Sequence, residues 1–210
     1  MIFEFVFRWA HVLFGIVWIG MLYYFNFVQT EYFKEAEAGA KADALKKLAP
    51  RALWWFRWGA MFTFLTGLIL LHQIGATTDL MARPIIWVGV LAGTIMFANV
   101  WLIIWPNQQV VLGLKAGDGP SSAAKAGLAS RTNTLLSAPM LFSMLGSNPT
   151  HAAVTLGTIT QAGLIACLLI IVALEVNALF GKLGPLASVK GVIHCSLGLT
   201  ALMWVLLAYL

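Results

Sequence analysis

The side chains in this sequence that can do chemistry are few, and most sit in apolar surroundings. There are four histidines, His11, His72, His151 and His194, and two cysteines, Cys167 and Cys195. Arg8 lies three residues before His11, and Gly15 and Trp18 follow on the next turns of the same helical face. Neutral imidazole suits iron, and two histidines on different helices at one depth can hold a b-type haem axially. A small residue such as Gly15 would let a porphyrin approach the backbone. The pattern marks His11 as one haem ligand, with Arg8, Gly15 and Trp18 around it, and His72 as the other. Copper or zinc at His11, His72 and His151 is the alternative, although no acidic or sulfur ligand joins them. His72 is five residues from Gly67, about 140° round a helix, so it also reads as a plain interfacial side chain.

A second polar set reads differently. Asn26, Arg57 and Asn99 fall in or at the ends of apolar runs, and Asn107, Gln108, Arg131 and Asn133 follow. Polar groups in a membrane span are costly and face the interior of a bundle. Hydrogen bonding between helices is their simplest explanation. The sharper one is a site for a small anion or a quinone headgroup at Arg57, Asn99 and Arg131, with Asn107 and Asn133 nearby. The cysteines match neither CxxC nor CxxCH and are read as packing residues. No residue stands out as catalytic.

These groups need elements to position them. Apolar runs cover residues 3–28, 53–74, 84–105, 134–145, 152–174 and 189–210. Most reach the ~20 residues needed to cross a ~30 Å hydrocarbon core. Charged residues make up 10% and hydrophobic residues 60% of the chain, against roughly 25% and 45–50% in soluble domains. The prediction is an all-α, polytopic membrane helix bundle of about six transmembrane helices, forming one domain over residues 1–210. The first run lacks the charged start and cleavage site of a signal peptide, so it is read as a retained span.

Eleven of the 13 lysines and arginines fall on one side of this arrangement, and only Arg8 and Arg83 on the other. The positive-inside rule then makes the basic side cytoplasmic and puts both termini outside. His11, His72 and His151 come near the outer surface, and His194 near the cytoplasmic end of the last span. The net charge of +5 is spread over these loops and does not point to nucleic acid. The fourth run is short and holds Ser137, Pro139 and Ser143; it is expected to be a short crossing. Residues 31–48 are expected to continue the first span as a solvated or interfacial helix. Glu37/Lys41 and Asp43/Lys47 are suitably spaced for ion pairs there. Residues 115–122 read as flexible connector, and Trp54, Trp55 and Trp58 as an interfacial anchor.

Four segments together resemble a known family. Arg8-Trp9-Ala10-His11-Val12-Leu13-Phe14-Gly15-Ile16-Val17-Trp18-Ile19-Gly20 is similar to the first helix of the membrane domain of bacterial membrane-bound urate hydroxylases, the "urate oxidase N-terminal" family. Leu53-Trp54-Trp55-Phe56-Arg57-Trp58, then Thr66-Gly67, resembles its second helix. Ala98-Asn99-Val100 and Pro106-Asn107-Gln108 resemble its third. Arg131-Thr132-Asn133-Thr134-Leu135-Leu136-Ser137-Ala138-Pro139 resembles the segment before and within its fourth. The resemblance covers roughly residues 7–150. It implies a multi-pass protein of the bacterial inner membrane. Full-length members carry a cytochrome c domain after the membrane domain, which is proposed to take electrons from urate. The chain is expected to be a short form without that domain. It also has Trp54 and Gly59 where the family pattern has a His and a Glu, and Pro149 after Ser147-Asn148 where the family has a His.

The expected function is membrane-embedded electron transfer, as a haem b-binding redox subunit serving a periplasmic cytochrome c or a respiratory complex. The alternatives are a non-catalytic accessory subunit packed against other membrane subunits and, further off, a small-anion transporter or a residual urate hydroxylase. Independent urate hydroxylation is not expected, because Trp54 and Gly59 cannot move a proton.

Overall fold

The computed structural model describes residues 2–77, 83–148 and 159–210. All regular secondary structure among the described residues is helical. Five helical runs are long and apolar enough to cross a membrane: Ile2–Glu35, Ala38–Gly75, Ile85–Val111, Gln161–Phe180 and Val189–Tyr209. Large apolar side chains such as Phe3, Phe5, Ile16, Leu169 and Phe180 remain exposed on these runs, as lipid-facing surfaces require. The chain is a polytopic, all-α membrane protein. It forms two compact units, Met1–Gln73 with Phe97–Ser130, and Ile74–Met96 with Arg131–Leu210.

In the first unit, α1 (Ile2–Tyr23) widens through a π-helical turn at Tyr24–Gln29 into α2 (Thr30–Glu35). The helix stops at Ala36, whose ψ of 137° is extended. Then α3 (Ala38–Asp43) leads through a second π turn, Ala44–Leu48, into α4 (Ala49–Thr77). The continuous helix expected over residues 31–48 is thus two pieces. Asp43 pairs with Lys47 as expected. Glu37 is extended at the start of α3, and no ion pair joins it to Lys41, whose ammonium instead lies 5.6 Å from the centre of the Phe33 ring.

The packing of α1 on α4 follows from small residues four apart on α4. A Cβ on Gly59 would lie 3.0 Å from the backbone nitrogen of Trp18, and one on Gly67 would lie 3.0 Å from Cε1 of His11. Between them, Thr63 faces Gly15, whose added Cβ would lie 3.9 Å from the threonine methyl. Membrane helices approach closely through such small–x₃–small spacing, because lipid supplies no hydrophobic drive between them. Trp18 and Leu22 are buried in this contact. Phe14 with Phe62, and Phe25 with Phe56, extend it with ring centroids 5.0 and 5.7 Å apart.

Helix α5 (Ile85–Ala98) begins just after Pro84 and passes through a third π turn, Asn99–Ile104, into α6 (Trp105–Val111). The widened turn ends beside Pro106, where the ring and the missing N–H disturb the hydrogen-bond ladder. Trp101 from this turn packs edge-on against Trp58 at 5.6 Å.

The segment read as a fourth span departs most from expectation. Instead of a short crossing at residues 134–145 after a flexible connector, α7 is a 28-residue helix, Gly119–Gly146. Its first turn takes up part of the segment read as connector. Every residue from Arg131 to Ser137 is buried. A helix enclosed by protein need not be apolar, and this one is not.

In the second unit, Gly89 and Gly93 of α5 lie against Met140 and Met144 of α7. Ser196 of α9 donates to the Leu135 carbonyl at 2.8 Å. The last two helices are α8 (Gln161–Phe180) and α9 (Val189–Tyr209). Helix α8 continues through Glu175 to Phe180, beyond residue 174 where the apolar run was read to end. The hydroxyls of Thr160 and Ser188 cap the two helices, accepting from the amides of Gly163 and Gly191 at 3.1 and 2.9 Å. Gly163 lies against the Leu206 carbonyl, too close for any side chain. One turn on, Cys167 donates to the Met203 carbonyl at 3.7 Å. Cys167 is buried and Cys195 half-buried, and both thiols are free, in keeping with a packing role.

Candidate functional site

His11 is held by the α4 backbone. Its Nδ1 lies 2.9 Å from the Thr63 carbonyl oxygen and 3.2 Å from Thr66 Oγ1. A carbonyl oxygen can only accept, so Nδ1 carries the hydrogen and donates it. In the neutral ring, Nε2 then keeps its lone pair. The threonines are themselves tied down: Thr63 Oγ1 donates to the Gly59 carbonyl at 2.7 Å and Thr66 Oγ1 to the Phe62 carbonyl at 2.6 Å. Gly67 makes room for the imidazole. The sequence reading singled out His11, had Thr66 only as part of the second-helix resemblance, and missed Thr63. The signal for Thr63 was the Gly59, Thr63, Gly67 spacing on one face of α4.

The other expected members of this site are not gathered around His11. Arg8 is exposed and bound to Glu4 one turn earlier, at 2.5 Å. Gly15 and Trp18 do follow His11 along α1, but they face α4 at close range. His72 is exposed, and it lies nine residues beyond Thr63, about 180° round α4. It stands on the opposite face from the one that holds His11. His11 and His72 thus stand on different sides of α4 and do not converge as the axial pair of one iron. Among the described residues, no three His, Cys, Asp or Glu side chains gather to share a metal ion. His151 lies outside the described residues. His194 is exposed on α9.

The second polar set is distributed over both units. In the first, Asn26 is buried at the π turn of α1 and donates to the Leu22 carbonyl at 2.9 Å and to Ser130 Oγ at 2.8 Å. Asn99 is buried at the start of its own π turn. Asn107 donates back to the Ile103 carbonyl at 2.8 Å. Arg57 is half-buried and lies over the Trp105 ring, 3.8 Å from its centre. The cation–π contact occupies one face of the guanidinium.

In the second unit the polar residues are consecutive on α7. Arg131 is 5% exposed, Thr132 1% and Asn133 0%. Asn133 donates to the Met96 carbonyl at 2.9 Å, Ser137 to the Thr134 carbonyl at 2.7 Å and Ser143 to the Pro139 carbonyl at 2.8 Å. Thr132 differs: its buried hydroxyl finds no partner among the described residues. A buried hydroxyl without a partner is costly, and a permanently charged guanidinium sits next to it in the chain. Sequence reading named Arg131 and Asn133 but passed over Thr132, which looks like any helical threonine until its partners are known.

This is a membrane bundle with polar groups built into its interior, and the sequence comparison places it in a family. Residues 76–208 match the family model described as Urate oxidase N-terminal, and the chain belongs to that family. The match includes the Asn99, Asn107 and Arg131 segments and extends through α8 and α9, beyond the region of the initial resemblance. The Arg8–Gly20 and Leu53–Gly67 segments precede it. No curated protein and no solved structure gives a significant match.

Proposed function

We propose that this chain is the membrane-embedded, anion-binding subunit of an oxidising system, holding a small planar anion of the urate type in its polar interior while a redox partner takes the electrons. The partner is a periplasmic cytochrome c or a respiratory complex. The observation that carries this reading is the α7 run, in which Thr132 offers an unpartnered buried hydroxyl between Arg131 and Asn133. A buried charge and a buried hydroxyl on adjoining faces of one helix, about 100° apart, each suit an oxyanion or a deprotonated ring nitrogen. The family's name supplies the substrate class. A haem b shared by His11 and His72 is not part of this reading.

The topology proposed with it has six crossings, α7 being the fourth, with both termini outside and residues 31–51 cytoplasmic in a bacterial inner membrane. The distribution of basic residues supports it. A cysteine introduced at Ala38 should resist a membrane-impermeant reagent added from outside, while one at Gly75 reacts. Labelling of Ala38 from outside would overturn the orientation.

The chain alone is not expected to turn urate over. Neither Trp54 nor Gly59 can serve as acid or base, and Gly59 is occupied by its contact with Trp18. Purified protein mixed with urate and ferricytochrome c should give no cytochrome reduction above a protein-free control. Sustained reduction would show that the chain carries the whole reaction.

A further inference from the structure

The start of α4 carries a stripe that the proposed function does not use. Arg51, Trp54, Trp55 and Trp58 fall at i, i+3, i+4 and i+7, which is one face of a helix. Lys47 lies four residues before Arg51, and Lys46 is its neighbour. Arg51, Lys46 and Lys47 are exposed. Lys47 is paired with Asp43, but no ion pair to Lys46 or Arg51 forms among the described residues. Trp54 and Trp55 are 45% and 57% exposed, although they are among the largest apolar side chains in the protein. Their rings meet edge-on with centroids 5.0 Å apart, and Trp58 beneath them is fixed against Trp101. Unpaired cations therefore stand at the polar end of a membrane run, directly above a rigid, uncovered indole surface.

We infer that this stripe is a binding site for an anionic phospholipid. The phosphate of the headgroup is taken by Arg51, with Lys46 adding positive charge at the same end of the run, and the glycerol and upper acyl chains lie on Trp54 and Trp55. Charge complementarity selects the headgroup: a zwitterionic lipid brings its own cation to the same place and gains less. Basic residues at a membrane surface each add affinity for anionic lipid, and indoles favour the headgroup level. The site is independent of the α7 run.

The test is native mass spectrometry of the intact protein released from mixed micelles of phosphatidylglycerol and phosphatidylcholine. The wild-type protein should retain phosphatidylglycerol preferentially. Arg51→Gln should reduce that preference about fivefold, and Trp55→Ala should reduce retention of both lipids. Lys190→Gln, which removes the same charge from the exposed start of α9, should leave the preference unchanged. An equal loss in Lys190→Gln would reduce the effect to net charge and overturn the site. So would an unchanged preference in Arg51→Gln, or displacement of the lipid by inorganic phosphate at millimolar concentration.

Discussion

The His11–Thr63–Thr66 cluster between α1 and α4 and the α7 run both bury polar side chains in a membrane bundle, but one is closed and the other is open. In that cluster each of the three side chains finds a partner nearby, whereas the Trp18 indole N–H in the same contact finds none among the described residues. His11 donates to the Thr63 carbonyl, and Thr63 and Thr66 donate to carbonyls of their own helix. Along α7, Asn133, Ser137 and Ser143 are satisfied by carbonyls, while the Thr132 hydroxyl is left over. A closed set holds helices together and asks for nothing else. An open set asks for a ligand. The difference moves the centre of interest from the histidine, which sequence chemistry favoured, to a threonine beside an arginine.

The comparison can be broken at the closed set first. Gly59→Leu drives a side chain into the backbone of Trp18 and should separate α1 from α4. The expected cost is about 1–3 kcal/mol, the usual penalty for overpacking, measured as lowered thermal stability of the purified protein. His11→Ala should cost less, roughly 0.6 kcal/mol and no more than about 1.7 kcal/mol, as for other hydrogen bonds between membrane helices. A larger loss would mean that His11 holds more than a helix contact. Thr132→Val should have the smallest effect on stability, within about 0.5 kcal/mol of zero. It replaces an unpartnered hydroxyl with a methyl group of the same shape. A clear destabilisation would show that the hydroxyl is bonded in the resting protein and that the set is closed after all.

Much of this architecture was legible in the sequence, because lipid-facing helices must be apolar over a fixed length. The runs starting at residues 3, 53, 84 and 189 were read close to their true extents. Helix α7 was misread for the converse reason. Hydropathy reports what faces lipid, and Arg131–Ser137 faces protein on every side. Its polar residues looked like the end of a span when they were the middle of a helix. His11 was legible from Arg8, Gly15 and Trp18, but its partner was not. Along α4, the two and a half turns from Thr63 to His72 put the two histidines half a revolution apart. What stands opposite His11 depends on which face of α4 is turned to α1, and the small residues Gly59, Thr63 and Gly67 decide that. The Thr132 hydroxyl could not be read at all, since a missing partner is a property of the packed protein.

The central claim is that the α7 run holds a planar anion, and equilibrium binding of urate to the detergent-purified full-length protein tests it most directly. Isothermal titration should show saturable binding to the wild-type protein. Arg131→Gln should weaken it about tenfold or more and Thr132→Val about fivefold, the range expected for one charged and one neutral hydrogen bond, with helicity unchanged by circular dichroism. Binding of equal strength in all three folded proteins, or none in the wild type, would contradict the account.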